Sequence, residues 1–197
     1  MGVEKSPRIM AYVELTMERL TLNDLPPLIS DPLCAIRDYQ SGDEISWTQI
    51  QSVADQFNTI TSTLFAHEFG DDLTEHSRRI LFAANSRHEL VGASAAWWGS
   101  SSTDAWGRVH WVAVLPGWQR QGIGRRLLVA TCHRLRQLGH TKAFLTTSPQ
   151  RVEALRLYLS LGFMPRIDSV KERDIWHEIS FSVGDSKLSA LLAAFRS

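Results

Sequence analysis

The chain has 197 residues, enough for one domain with a substantial apolar core. Hydrophobic residues make up 44 % and charged residues 21 %, an ordinary globular balance. Lys plus Arg and Asp plus Glu each number 21, so the formal net charge is zero. This argues against nucleic acid or an acidic membrane surface as the main partner, because both select an excess of basic residues.

In chain order, residues 10–22 alternate weakly and read as an extra strand inside an N-terminal extension, 1–34. Three prolines break regular structure over 23–32. Ala35–Tyr39 reads as a short strand. Ser41-Gly42-Asp43-Glu44 supplies a turn and cap for a helix over about 45–57, with Trp47, Ile50, Val53 and Phe57 at helical spacing. A second helical segment lies between Ile60 and Arg79, interrupted at Gly70. Residues 79–85 and 89–99 are apolar runs flanking Ser86-Arg87-His88, a hairpin signature. Cys34 and Cys132 have neither disulfide-scaffold density nor metal-ligand spacing, and read as buried thiols of a reducing compartment with no metal implied.

Residues 107–115 form a strand rich in β-branched residues, ended by Pro116-Gly117. A helix follows, with Ile123, Leu127, Thr131, Leu135 and Leu138 in one stripe, Arg125, Arg126, Arg134 and Arg136 largely outside it, and Gly139 closing it. Residues 142–148 are the next strand. Residues 150–162 are another helix, with Ala154, Leu157, Tyr158 and Leu161 on one face. Residues 163–167 and 176–183 read as strands, and 187–195 as a short C-terminal helix. The mixture points to an α/β or α+β domain on a mixed sheet. No apolar run spans a bilayer and residues 1–7 lack a signal-peptide core, so the expected location is cytoplasmic, without membrane attachment.

The stretch between the strand at 107–115 and its helix, Gln119-Arg120-Gln121-Gly122-Ile123-Gly124, is chemically fit for phosphate. A helix start offers unpaired N–H groups and a positive dipole end, and glycines let an anion approach the backbone. A dinucleotide fingerprint needs a third glycine where Leu127 stands, and a P-loop needs Gly-Lys-Ser or Gly-Lys-Thr where Gly124-Arg125-Arg126 stands. Both fail. Gln119-x-x-Gly122-x-Gly124 instead resembles the coenzyme A pyrophosphate loop of the GCN5-related N-acetyltransferase (GNAT) superfamily. Ala154, Leu157, Tyr158, Gly162 and Phe163 resemble the same family's downstream helix, although Arg151 stands where the family carries Asn.

The resemblance covers about 35–183, leaving 184–197 as an added helix. It implies a central mixed, mostly antiparallel sheet with splayed middle strands flanked by helices. It also implies transfer of an acetyl group from acetyl-CoA to a primary amine by direct attack, releasing coenzyme A. The cofactor arm would pair with the backbone of Val112, Ala113 and Val114. The pyrophosphate would sit on the amides of Gln121, Gly122, Ile123, Gly124 and Arg125, near Gln119 and Arg120, with Arg151 in reach of a phosphate. Tyr158, a phenol protonated at neutral pH, matches the family's proton donor.

His110 is the candidate base, as an imidazole titrating near ~6.5. By two-residue alternation it shares a strand face with Val112 and Val114. The family's usual base position, often Glu, falls at Arg108, which stays protonated. Members that acetylate arylalkylamines carry histidines on this strand, one of them matching His110. The acceptor cleft would be lined by the segment carrying Phe65, His67, Glu68, Phe69, Asp71 and Asp72, for which a capped turn with solvated acids is the competing account. Trp97, Trp98, Trp106 and Trp111 lie near that cleft in sequence. The acceptor could be a small molecule or a protein N-terminus or lysine, and the protein a monomer or homodimer. A non-catalytic acyl-CoA-binding sensor on the same fold, or a nucleic-acid-binding module, are the rival classes.

Overall fold

The computed structural model describes residues 13–99 and 105–194. Its elements run β1 (Leu15–Arg19), β2 (Cys34–Asp38), α1 (Asp43–Ala54), α2 (Leu64–Phe69), α3 (Leu73–Arg79), β3 (Ile80–Asn85), β4 (Leu90–Trp98) and β5 (Trp106–Val114). They continue through α4 (Ile123–Gln137), β6 (Lys142–Thr147), α5 (Val152–Ser160), β7 (Met164–Pro165), α6 (Val170–Val183) and α7 (Ser186–Ala194). The chain divides into two compact units, residues 18–145 and the segments up to Met17 and from Thr146 onward.

In the larger unit the strands lie in the order β2-β3-β4-β5-β6. Neighbours are antiparallel from β2 to β5, and β5 pairs with β6 in parallel. The sheet is therefore mixed and mostly antiparallel, as expected. Alternation along β3 sends Ile80 and Phe82 to one face and Leu81 and Ala83 to the other. On the first face α1 and α2 contribute Trp47, Ile50, Phe65 and Phe69. On the second, α4 contributes Ile123 and Leu127. The stripe read from the sequence is the buried one: Ile123, Leu127, Thr131 and Leu135 are all buried. The Thr131 hydroxyl donates to the Leu127 carbonyl at 2.8 Å and pairs with Ser94 of β4 at 2.6 Å, so the polar side chain in this stripe is satisfied.

In the smaller unit, the Arg166 amide after β7 donates to the Thr16 carbonyl of β1 at 3.0 Å. Three sequence expectations are corrected here. The buried face of α5 is Leu155, Tyr158 and Leu159, with Ala154 and Leu157 only half-buried. Residues 176–183, expected as a strand, form the second half of α6. Their alternation in polarity mimics a strand, but the ends decide the matter. Ser169 Oγ accepts from the Glu172 amide at 3.2 Å, Glu172 accepts from the Asp168 amide at 2.7 Å, and Gly184 closes the helix in the left-handed region. This is a capping-box arrangement, after which Trp176, Ile179 and Val183 fall on one helical face. The other expected strand, 163–167, shrinks to Met164–Pro165. Proline there has no N–H to extend a ladder.

Two stability predictions follow from this packing. A Cβ on Gly92 would sit 2.9 Å from both the Ala113 carbonyl oxygen and Leu127 Cδ1. Because one of these is backbone, Gly92→Ala should cost about 1–3 kcal/mol, seen as a lower urea midpoint at unchanged m-value. Ser169→Ala should cost about 1 kcal/mol, and Ser169→Asp should restore the midpoint. A strand at 176–183 would be indifferent to both.

Candidate active site

Strand β5 departs from simple alternation at its centre. Ala95 of β4 pairs with His110, but Ala93 pairs with Ala113, so Ser94 alone opposes Trp111 and Val112. This is a β-bulge, and the extra residue turns the strand's phase by one position. The Trp111 backbone has φ of 50°, an uncommon conformation for a residue with a bulky side chain. Three contacts hold it. Its carbonyl accepts from Gln51 Nε2 at 2.9 Å, its indole N–H donates to Glu68 Oε2 at 2.9 Å, and its ring meets Trp47 edge-on at 5.4 Å. The phase change corrects the expected common face of His110, Val112 and Val114. His110 faces the α1–α2 layer with Ala113, and its ring lies 5.9 Å from Phe69. Val114 packs on the opposite face with Ile123 and Leu127.

Beyond the bulge the strand is splayed. Pairing with β6 covers Trp106, Gly107 and Arg108 opposite Lys142, Ala143 and Phe144. From Val109 to Val114 no pairing with β6 is present among the described residues, and along this stretch side chains reach the Trp111 and Val114 carbonyls, from Gln51 and Gln119. A 3₁₀ turn over Pro116–Trp118 follows. Arg120 then takes φ of 63° and Gly122 φ of 78°, and α4 begins at Ile123. Gly122 at the cap supplies no side-chain acceptor, so the first-turn amides of α4 and the dipole's positive end suit an anion.

The side chains expected around that anion have varied assignments. Gln119 Nε2 donates to the Val114 carbonyl at 2.9 Å and Gln121 Nε2 to the Gly117 carbonyl at 3.3 Å, so both stitch the loop to itself. Ile123 is buried in the core, while Gly124 is half-buried and Arg125 is exposed on α4. Arg126 turns away and pairs with Asp31, beside a cavity of about 530 Å³ between α4, β2 and the 26–31 segment. The charges along that cavity are matched internally. Arg134 pairs with Asp38 at 2.6 Å, and His133 Nε2 meets the Pro26 carbonyl at 2.8 Å.

His110 is buried, and its Nε2 lies 2.8 Å from Glu68 Oε2. Burial lowers the imidazole's affinity for a proton, and the Arg108 cation lowers it further. The Glu68 carboxylate opposes both without reversing the direction. His110 is therefore neutral at pH 7. An acceptor carboxylate at Nε2 assigns the proton to that nitrogen and leaves the basic lone pair on Nδ1. Glu68 itself is held at about 2, chiefly by the hydrogen bond from His110, then by the indole N–H, against the opposing effect of its burial. A neutral base ion-paired on demand to a fixed carboxylate is an arrangement for proton transfer.

The other residues of the expected acceptor cleft separate into structural and solvent-facing groups. Phe65 and Phe69 are core, and Asp72 caps α3 by accepting from the Thr74 and Glu75 amides at 2.9 and 3.2 Å. Asp71 and His67 are exposed. Trp97 and Trp98 meet edge-on at 4.7 Å, and Trp97 and Trp111 pack against the same aromatic core. Trp97 packs on Phe69 at 4.8 Å, the Trp98 ring lies 4.1 Å from the Arg79 guanidinium carbon, and the Trp106 ring lies 5.3 Å from Lys142 Nζ. Glu68 was one acid among several in the sequence. Its place beside the Phe65–Phe69 stripe was the available signal, and Gln51 gave none.

Tyr158 and Arg151 belong to the smaller unit. Tyr158 is buried with its ring 6.3 Å from Phe163, and burial pushes its phenol up to about 12 against the opposing Arg151 cation. It is protonated throughout the physiological range. Arg151 stands at the N-cap of α5, its amide donating to Ser148 at 3.1 Å. Cys132 is buried mid-helix with its thiol pushed to about 12, which removes it as a nucleophile.

No curated protein matches the chain at a significant level. Solved structures do. A GCN5-related N-acetyltransferase from Sphaerobacter thermophilus aligns with a TM-score of 0.64 at 20% identity, over 79% of this chain and 50% of that one. The ribosomal-protein-S18-alanine N-acetyltransferase of Escherichia coli aligns at 0.55 with 22% identity, over 66% and 77%. The yncA protein of Salmonella typhimurium, solved with its cofactor acetyl-CoA, aligns at 0.55 with 21% identity, over 68% and 80%. The chain thus spans half the length of the Sphaerobacter protein, and at these identities the likeness is one of fold. The sequence profile of the Acetyltransferase (GNAT) family matches residues 44–163, from the first turn of α1 to the residue after Gly162. That span contains the bulged strand, the glycine loop and the α5 helix, and by it the chain belongs to the GNAT acetyltransferase family.

Proposed function

We propose that this protein is an acetyl-CoA-dependent N-acetyltransferase acting on a primary amine of a small molecule. The observation that carries the reading is the course of β5. One neutral, carboxylate-bound histidine precedes the bulge, the stretch unpaired with β6 runs from Val109 to Val114, and the strand leads into the uncapped start of α4. An extended arm ending in phosphates fits that sequence of features. In this reading the arm pairs along Val112, Ala113 and Val114, where the Val114 carbonyl also accepts from Gln119. The amides from Gln121 to Arg125 offer anion contacts, with Gln119 and Arg120 shaping the loop. Arg125 and Arg151 are the cations assigned to phosphate.

Acetyl-CoA supplies a thioester carbonyl open to attack and a thiolate as leaving group. In this reading His110 Nδ1 takes the proton from the amine, directly or through water, and Glu68 stabilises the imidazolium so formed. The resemblance assigns the Tyr158 phenol, protonated at neutral pH, as proton donor to the departing sulfur. The arrangement of groups supports direct transfer rather than an acyl-enzyme, since Cys34 and Cys132 are both buried with raised thiol values. Among the described residues no helix is long and apolar enough to cross a membrane.

The test is release of coenzyme A across a panel of small amines, amino sugars, amino acids and N-terminal peptides. Small primary amines should give the highest kcat/KM. Tight acetyl-CoA binding with no turnover on any acceptor would instead favour a sensor, the reading for which Arg108 at the family's usual base position speaks. His110→Ala and Tyr158→Phe should each lower kcat by about 100-fold or more at saturating acetyl-CoA. Parent-like turnover in both would remove these roles. The pH dependence has a definite sign. His110 works deprotonated and its native value lies below the ordinary ~6.5. The acid limb of kcat/KM should therefore fall below pH ~6.5. Over the same window the unfolded chain binds a proton that the native one refuses, so stability should also decline as the pH drops below ~6.5.

A further inference from the structure

We propose that Glu68 is the positioning residue of the His110 base, fixing its tautomer and supporting its protonated state while clamping the β5 bulge. The inference rests on the reading of His110 as the base. One oxygen, Oε2, receives both donors, His110 Nε2 at 2.8 Å and Trp111 Nε1 at 2.9 Å. The other, Oε1, lies 3.4 Å from His67 Nδ1 on the solvent side. Two adjacent residues of β5 thus share one acceptor delivered by α2. The imidazole cannot rotate or exchange tautomers without losing the carboxylate, and the lone pair stays on Nδ1.

The charged groups around the ring explain why a carboxylate stands here. Arg108, two residues earlier on β5, opposes protonation of the imidazole, and burial does the same. From α2 come Glu68 and, through it, His67. From α1 comes the Gln51 amide, bound to the Trp111 carbonyl. From α3, His76 Nε2 meets the Phe69 carbonyl at 3.2 Å, next to Glu68 in sequence. When the imidazole takes a proton from a substrate ammonium, the amine keeps its electron pair for attack and the new N–H bond forms at Nδ1. The imidazolium is then a buried cation, and Glu68 gives it a partner already in place. The carboxylate keeps its charge throughout, and the imidazolium later returns its proton to solvent.

A purely structural Glu68 would only anchor α2 to β5 through the indole. The two accounts separate in a titration of the His110 ring by nitrogen NMR in the full chain, which needs no acceptor. In Glu68→Gln the ring's value should fall by about one pH unit or more, because the opposing carboxylate is gone while burial and Arg108 remain. The acid limb of kcat/KM should move to lower pH with it, kcat should drop at least tenfold, and KM for acetyl-CoA should stay near that of the parent. Glu68→Asp, with the charge kept and the reach shortened, should recover part of both. An unchanged ring titration in folded Glu68→Gln would overturn the inference, whatever happens to turnover. If Glu68→Gln does not fold, Glu68→Asp alone decides, since its ring titration and tautomer populations must also differ from the parent. Failure of the base assignment reads differently: His110→Ala would retain turnover while the ring titration still answers to Glu68.

Discussion

The left-handed backbone at Trp111 is the constraint on which the larger unit depends. It costs about 1–2 kcal/mol in a residue with a Cβ, and the two hydrogen bonds from Gln51 and to Glu68, at about 1 kcal/mol each, offset it. What that conformation secures is a change of phase inside one strand. Upstream, His110 faces the aromatic layer of α1 and α2. Downstream, Val114 faces α4. Without the extra residue Val114 would stay on the side of His110, and α4 would lose part of the apolar floor that sets its first turn against the strand end.

The strand consequently carries two unlike electrostatic environments in a short distance. At His110 the surroundings are desolvating and the relevant charge is an internal carboxylate. At the strand's end the relevant charge is the positive terminus of α4, presented through backbone amides. Gln119 and Gln121 bond their side chains to the loop's own carbonyls, so in the proposed reading the anion is met by the backbone amides and the assigned arginines. A site built on amides tolerates exposure, because a helix start cannot lose its donors by a rotamer change. His110, by contrast, is buried and bonded, while Arg125 is exposed.

Much of this was legible in the sequence where local periodicity and end signals agree. The stripe Ile123–Leu127–Thr131–Leu135 and its closing glycine define α4. The two apolar runs around Ser86-Arg87-His88 define the β3–β4 hairpin. Residues 176–183 failed because their polarity alternates over one stretch while the capping residues that make them helical, Ser169 and Glu172, lie outside it. The bulge failed for a deeper reason. No residue type announces a left-handed tryptophan, and its partners Gln51 and Glu68 stand 60 and 43 positions away. A rule of period two therefore put His110, Val112 and Val114 on one face, and only the paired register could show otherwise. His110 was singled out in the sequence as the candidate base from its chemistry. Its partner was not singled out, because its place beside the buried Phe65–Phe69 stripe was the only local sign that this acid, among several, was committed.

Arg108 gives this arrangement its meaning. A permanent cation stands where the resemblance leads one to expect a carboxylate base, and it acts against protonation two residues on, at His110. An imidazole left with that cation and its burial would be neutral, correctly placed and too weak a base to carry a proton through turnover. Glu68 answers both opposing influences from a different element. It is already ionised far below neutral pH, so it adds no titration of its own in the working range. In the proposed reading the base is thereby assembled from two elements rather than one. β5 supplies the ring, facing the aromatic layer just ahead of the bulge, and α2 supplies the charge beside it. The carboxylate that the strand lacks at position 108 is returned to it across the fold at position 68.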